Sequence, residues 1–276
     1  MSVRRKTTLA VLAARIGLVI LALLFLFPFY WIVSGSFKSQ VAVVQIPPEW
    51  YPSQPTMDNY VRLSHQPLLR WTFNSFYMSI ATALLVCVTA SLAGYALAKK
   101  RFIGSTLIFW LFIVAMSLPK QVIMIPLFNM LAEWKWMNTY KAVILPAVGW
   151  PFGVFLMKQF CQTIPSELIE AATIDGAGEV RTFAAVAFPI MKPGIGALAI
   201  FTFIGAWNDY FMQLILISST RMKTLQLGIA SMQQEFTTDY GVLMAGAAIA
   251  ALPMIAVFIS FQKYFAQGIT MGAVKG

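Results

Sequence analysis

The chain has 276 residues, 59% of them hydrophobic and only 11% charged, with a net charge of +10. Ordinary soluble domains carry roughly 25% charged residues, and a water-soluble fold could not cover this much apolar surface with the polar groups available. The positive balance does not read as nucleic-acid binding, because Lys and Arg stand in short groups between long apolar runs, as membrane topology signals do.

Spanning about 30 Å of hydrocarbon takes about 20 apolar residues in a helix. The first uncharged run, 16–37, follows Arg4, Arg5, Lys6 and Arg15. It exceeds the roughly 7–15 residues of a signal-peptide core and no A-x-A site follows, so it reads as a retained span. Further spans are expected at 71–98, 102–119, 142–157, 193–217 and 241–261. Pro146 and Pro151 in the fourth fit either a bent helix beside a cavity or a kinked helix facing lipid. Asp209 is the one charge inside the fifth, and Gly241, Ala245 and Gly246 give the sixth a small-residue face for close helix contact.

Six spans put both termini on one side, and twelve of the twenty Lys and Arg residues fall there, including the clusters 4–6 and 99–101. The positive-inside rule makes that side the cytoplasm. The expected fold class is thus an all-α membrane protein: one transmembrane domain over 1–276, six transmembrane helices, N- and C-termini cytoplasmic. The outer segment 38–70 carries Pro47, Pro48, Pro52, Pro55 and Pro67 and reads as extended chain and turns. Cys87, Cys161 and His65 offer no spacing for a metal or a disulfide framework.

The inner segment 158–192 is of another kind. Pro165, Ser166 and Glu167 suit the first turn of a helix, residues 168–174 continue it, and Gly176 supplies a left-handed terminator. A second helical stretch, 179–188, is expected to stop at Pro189. The result is a helix–turn–helix at the cytoplasmic face.

Glu170-Ala171-Ala172, then Gly176, then Val186-Ala187-Phe188-Pro189 resemble the EAA loop of binding-protein-dependent ABC importer permeases. Val186 and Phe188 stand where that family usually has Ile and Leu. The stretches 55–60, Phe73-Asn74-Ser75, Trp207-Asn208-Asp209-Tyr210 and Gly268–Gly276 are similar to the maltose/multiple-sugar subfamily, particularly its six-helix subunit. The resemblance implies a type I ABC importer permease in a bacterial or archaeal cell (inner) membrane, with 158–192 as a cytoplasmic coupling loop. It implies as partners a second homologous permease, two cytoplasmic ATPase subunits, an external solute-binding protein and membrane lipid. The solute implied is a sugar or oligosaccharide.

No G-x-x-x-x-G-K-[ST] loop occurs in the sequence, so no cofactor is expected in this chain; ATP and Mg are expected on the partner ATPase. Catalytic and metal sites are not expected. Candidate ATPase-coupling residues are Glu167, Glu170, Ala171, Ala172, Asp175 and Gly176. Trp207, Asn208, Asp209 and Tyr210 are candidates for the substrate path, with an outer-interface position for Asp209 as the other placement. Two further readings remain at this point. An ion-coupled secondary transporter would need more intramembrane charge than Asp209 alone. An ABC permease for a polyol or a glycerol phosphate diester would share the whole architecture.

Overall fold

The computed structural model describes residues 2–233 and 238–273, and no strand occurs among the described residues. Val274, Lys275 and Gly276, the end of one resemblance stretch, lie outside them. The chain forms two compact units, 1–68 with 229–253, and 69–228 with 254–276.

The first unit holds α1 (Ser2–Ser36), α2 (Gln40–Val44), α3 (Asp58–Ser64) and the beginning of α14 (Tyr240–Ala273). The proline-rich segment 38–70 therefore contains two short helices that its composition concealed. Asp58 occupies the first turn of α3, where a carboxylate meets the positive end of the helix dipole. Buried Asn59 donates to Ser36 O (2.9 Å) and Lys38 O (2.8 Å), tying α3 to the end of α1. A Cβ on Gly241 would stand 2.7 Å from the Asn59 amide, so only glycine lets α14 start there. Gln40 completes the joint, donating to Thr238 O and accepting from Tyr240 N, and Arg62 pairs with Asp239. The most apolar part of α1 has no buried residue.

The second unit is built on α4 (Leu68–Lys99), followed by α5 (Ser105–Met116), α6 (Lys120–Glu133), α7 (Tyr140–Val148) and α8 (Pro151–Gln162). Next come α9 (Ser166–Ile174), α10 (Glu179–Thr182), a π-helical turn (Phe183–Ala187), α11 (Phe188–Trp207), α12 (Phe211–Leu216) and α13 (Leu225–Ala230). Helices α4, α8 and α11 share the main core: Val86, Cys87, Ala90, Met157, Cys161, Met191 and Leu198. Three glycines set how closely they approach. A Cβ on Gly94 would meet the Met157–Lys158 backbone at 2.7 Å, one on Gly194 the Phe160 ring at 2.5 Å, and one on Gly153 would meet Ala90 at 3.2 Å. Close backbone approach of this kind is what joins helices in lipid, where no hydrophobic drive exists between them.

At the Leu68 end of α4, the loop after α12 is held by polar side chains. Trp71 donates to Thr220 O (2.9 Å), Asn74 to Arg221 O and Lys223 O, and Tyr140 to Asn74 Oδ1 (2.8 Å). In hydrocarbon such backbone groups must be satisfied internally, and here Trp71 and Asn74 do so while Tyr140 holds the Asn74 amide in place.

Among the described residues, four helices are long and apolar enough to cross a membrane, and six segments qualify if each of two bent pairs counts as one span. The segment expected at 102–119 is the first leg of such a pair: α5 and α6 meet at 102° around Ser117–Pro119. Helices α7 and α8 meet at 41°. Pro189 does not stop the second helix of the 158–192 loop. The π-turn lets the Phe188 N–H bond back to Phe183 O, so the register shifts ahead of the imino nitrogen and the helix runs on. The fifth segment likewise ends at Trp207, before Asp209, rather than at 217.

Candidate functional site

Two arrangements in the second unit carry the chemistry, one convex and one concave. The convex one is the turn after α9. Asp175 caps the helix, Gly176 has φ +77°, Gly176 N donates to Thr173 O (3.0 Å) and Ala177 N to Ala172 O (2.9 Å). This pair of bonds is the Schellman arrangement, which satisfies the last carbonyls and needs a left-handed residue at the position of Gly176. Nothing lies within 4 Å of where a Gly176 Cβ would be, so the requirement for glycine there is conformational rather than steric.

Ile169 is the residue α9 buries, joining Tyr95, Met157 and Cys161 in the core. The opposite side is open. Glu167, Glu170, Ala171, Asp175 and Gly176 are exposed and Ala172 is half-buried. Ile174 is 86% exposed and Val180 82%, with Leu168 also uncovered. All six predicted coupling residues thus lie on one small knuckle. The loop is also tied to the end of α4: Lys99 donates to Ile164 O, and Lys100 pairs with Glu179, Nζ to Oε1 2.6 Å. The hydrogen bond that Lys100 donates to Glu179 is the main reason its ammonium titrates above its ordinary range.

The concave arrangement is a cavity of about 300 Å³. Met78 and Thr82 of α4 line it together with the α5–α6 bend (Leu118, Pro119, Lys120), the α7–α8 break (Gly149, Trp150, Pro151), and Thr202, Gly205, Ala206, Asp209 and Gln213. Three helix interruptions therefore converge on one space. Broken helices at membrane depth are tolerated where they line a cavity, because the freed backbone groups find partners or water there. Asp209 Oδ1 accepts from Met212 N (3.2 Å) and so holds the first turn of α12, leaving its second oxygen for other donors. The Lys120 ammonium lies 5.8 Å from the centre of the Trp150 ring.

Of the four predicted path residues only Asp209 lines this space. Trp207 is 1% exposed and packs on Phe76 (4.9 Å) and Phe203 (5.9 Å). With the Gln226 amide in its satisfied orientation, Trp207 Nε1 donates to that amide at 2.7 Å. Asn208 is exposed outside the lining, and Tyr210 packs in the cluster of α6, α7 and α12. Thr82, Lys120, Trp150 and Thr202 were not foreseen; the prolines at 119, 146 and 151 were the available signal.

The chain belongs to the family described as binding-protein-dependent transport system inner membrane component, which matches residues 65–271. It is a multi-pass membrane protein and a transport subunit of an ABC importer, not an enzyme. It is similar to the arabinooligosaccharides transport system permease protein AraQ of Halalkalibacterium halodurans, 34% identical over 95% of each chain. It is also similar to the trehalose/maltose transport system permease protein MalG of Thermococcus litoralis, 32% identical over 95% of each. A crystal structure of a bacterial ABC transporter involved in the import of the acidic polysaccharide alginate contains a chain with the same type I permease fold: TM-score 0.81, 22% identity, 95% of this chain and 98% of that one.

Proposed function

We propose that this chain passes a sugar or oligosaccharide through the membrane, with its termini and its 158–192 loop on the cytoplasmic side. The observation that carries this reading is the end-to-end likeness to permeases named for oligosaccharides. The cavity is consistent with it. A saccharide offers hydroxyl donors and apolar ring faces, and Asp209, Gln213, Thr82, Thr202 and the Trp150 ring offer matching acceptors, donors and a stacking surface. In this reading Asp209 is the path residue, and Trp207, Asn208 and Tyr210 shape the helix end that presents it.

The partners follow from what is left uncovered. An exposed α1 suits lipid and a second homologous permease, and an external binding protein delivers the solute. The knuckle from Glu167 to Gly176 docks on one of two cytoplasmic ATPase subunits, which bind ATP and Mg. Ala171 and Ala172 permit close approach, Glu167, Glu170 and Asp175 set the charge of the contact, and Gly176 fixes its angle. Nucleotide-driven motion then shifts the spans between two states, as coupling requires a contact whose free energy differs between them.

Reconstitution with the partner subunits and a set of labelled neutral oligosaccharides, a polyol and a glycerol phosphate diester tests the reading. ATP-dependent uptake of a saccharide is expected. Uptake of only the polyol or the diester would refute the carbohydrate assignment, and uptake driven by an ion gradient without ATP would refute the whole scheme.

A further inference from the structure

Helix α4 is remote in sequence from the 158–192 loop, yet its last residue and the one after it hold that loop at both ends. Lys99 donates to Ile164 O, two residues before α9, and Lys100 pairs with Glu179, the first residue of α10. Between these two points the core continues the grip. Tyr95 meets the Phe183 ring edge-on at 5.2 Å, Lys100 lies 5.7 Å from the Tyr95 ring, and Ile169 of α9 packs in the same cluster. The covalent connections of the loop are otherwise unequal. On one side it runs from α8, and on the other it reaches α11 only through the π-turn Phe183–Ala187, a backbone form that accumulates where a helix must shift register.

We propose that Lys99 and Lys100 form a bracket that makes α4 a direct receiver of motion from the α9 knuckle. The two lysines are positioning residues: they hold the loop's entry and exit against one helix end, so a push on α9 moves α4 with it. Because α4 also supplies Met78 and Thr82 to the cavity wall, the bracket gives the ATPase contact a route to the solute that bypasses the π-turn. The inference rests on the coupling role proposed for α9.

The Lys100–Glu179 pair is largely exposed on the Glu179 side, and exposed pairs contribute little to stability, so charge variants should still fold. The test uses the transporter reconstituted with its partner subunits and reads uptake per ATP hydrolysed for Lys100→Glu, Glu179→Lys and the double exchange. Each single variant should hydrolyse ATP while this ratio falls by about fivefold or more, and the exchange should return it toward wild type. Lys100→Gln serves as the milder variant if Lys100→Glu fails to insert. Single variants with a wild-type ratio, or an exchange no better than the worse single variant, would overturn the bracket. Cross-linking of a cysteine at Ile174 to the ATPase separates the two ideas: with the cross-link present and the charge variants normal, only the bracket fails; with no cross-link in wild-type background, the coupling reading itself fails.

Discussion

The knuckle after α9 and the cavity beside Asp209 use helix ends in opposite ways. At the knuckle the end is sealed: the Schellman bonds occupy the terminal carbonyls, and a convex surface with exposed Leu168, Ile174 and Val180 stands clear of the core. At the cavity the α5–α6 and α7–α8 breaks and Asp209 after α11 face a common space. In the proposed reading the convex end is the surface for a protein partner, and the concave breaks offer polar groups to a small solute. The same chain can therefore separate mechanical contact from solute contact with one kind of secondary structure.

Both sites stand on the α4–α8–α11 packing. Gly94→Val would drive a side chain into the Met157–Lys158 backbone, and overpacking of this kind costs about 1–3 kcal/mol or more. Loss of membrane insertion, or a large fall in the melting temperature of the detergent-solubilised protein, is expected, with both sites lost together. Gly176→Val should act on the knuckle alone. A left-handed conformation costs a residue with a Cβ about 1–2 kcal/mol, more if β-branched, and there is no clash to spread the damage. Insertion should persist while uptake is lost, measured by vesicle flux beside membrane content; a Gly176→Ala variant should lose less.

Asp209→Asn sharpens the other half. The amide keeps an acceptor for Met212 N, so α12 stays capped, but the charge is gone; uptake should fall severalfold with unchanged thermal stability. Asp209→Ala should add a stability loss of about 1 kcal/mol from the missing cap. The smallest effect is expected for Trp207→Phe, which removes the bond to Gln226 at a net cost of about 1 kcal/mol and should leave the KM for solute unchanged. A raised KM there would return Trp207 to the solute path.

The knuckle was legible because its determinants are local. Pro165 to Glu167 start a helix and Gly176 ends it, and neither needs a distant partner to act. The α4–α8–α11 packing was only half legible: apolar runs announce helices, but the role of Gly94 depends on which backbone faces it. The continuation of the helix through Pro189 was hidden, because a register shift over Phe183–Ala187 leaves no mark in composition. Asp209 drew notice as a charge in an apolar run, yet the helix ends before it; Asn208-Asp209 is itself a poor helix pair, and the carboxylate is better placed capping the next turn. Lys120, Trp150 and Thr202 could not be grouped with it from sequence, since three bends in three segments bring them together.

The central claim, that the knuckle is the docking surface through which an ATPase drives the spans, is most directly tested at Ile174, which is 86% exposed beside Gly176. An Ile174→Cys variant, assembled with its partner subunits and treated with a short bifunctional maleimide, should cross-link to the ATPase, with a yield that changes when ATP is added. A cysteine that reacts freely with a water-soluble maleimide but yields no cross-link in any nucleotide state would contradict the claim.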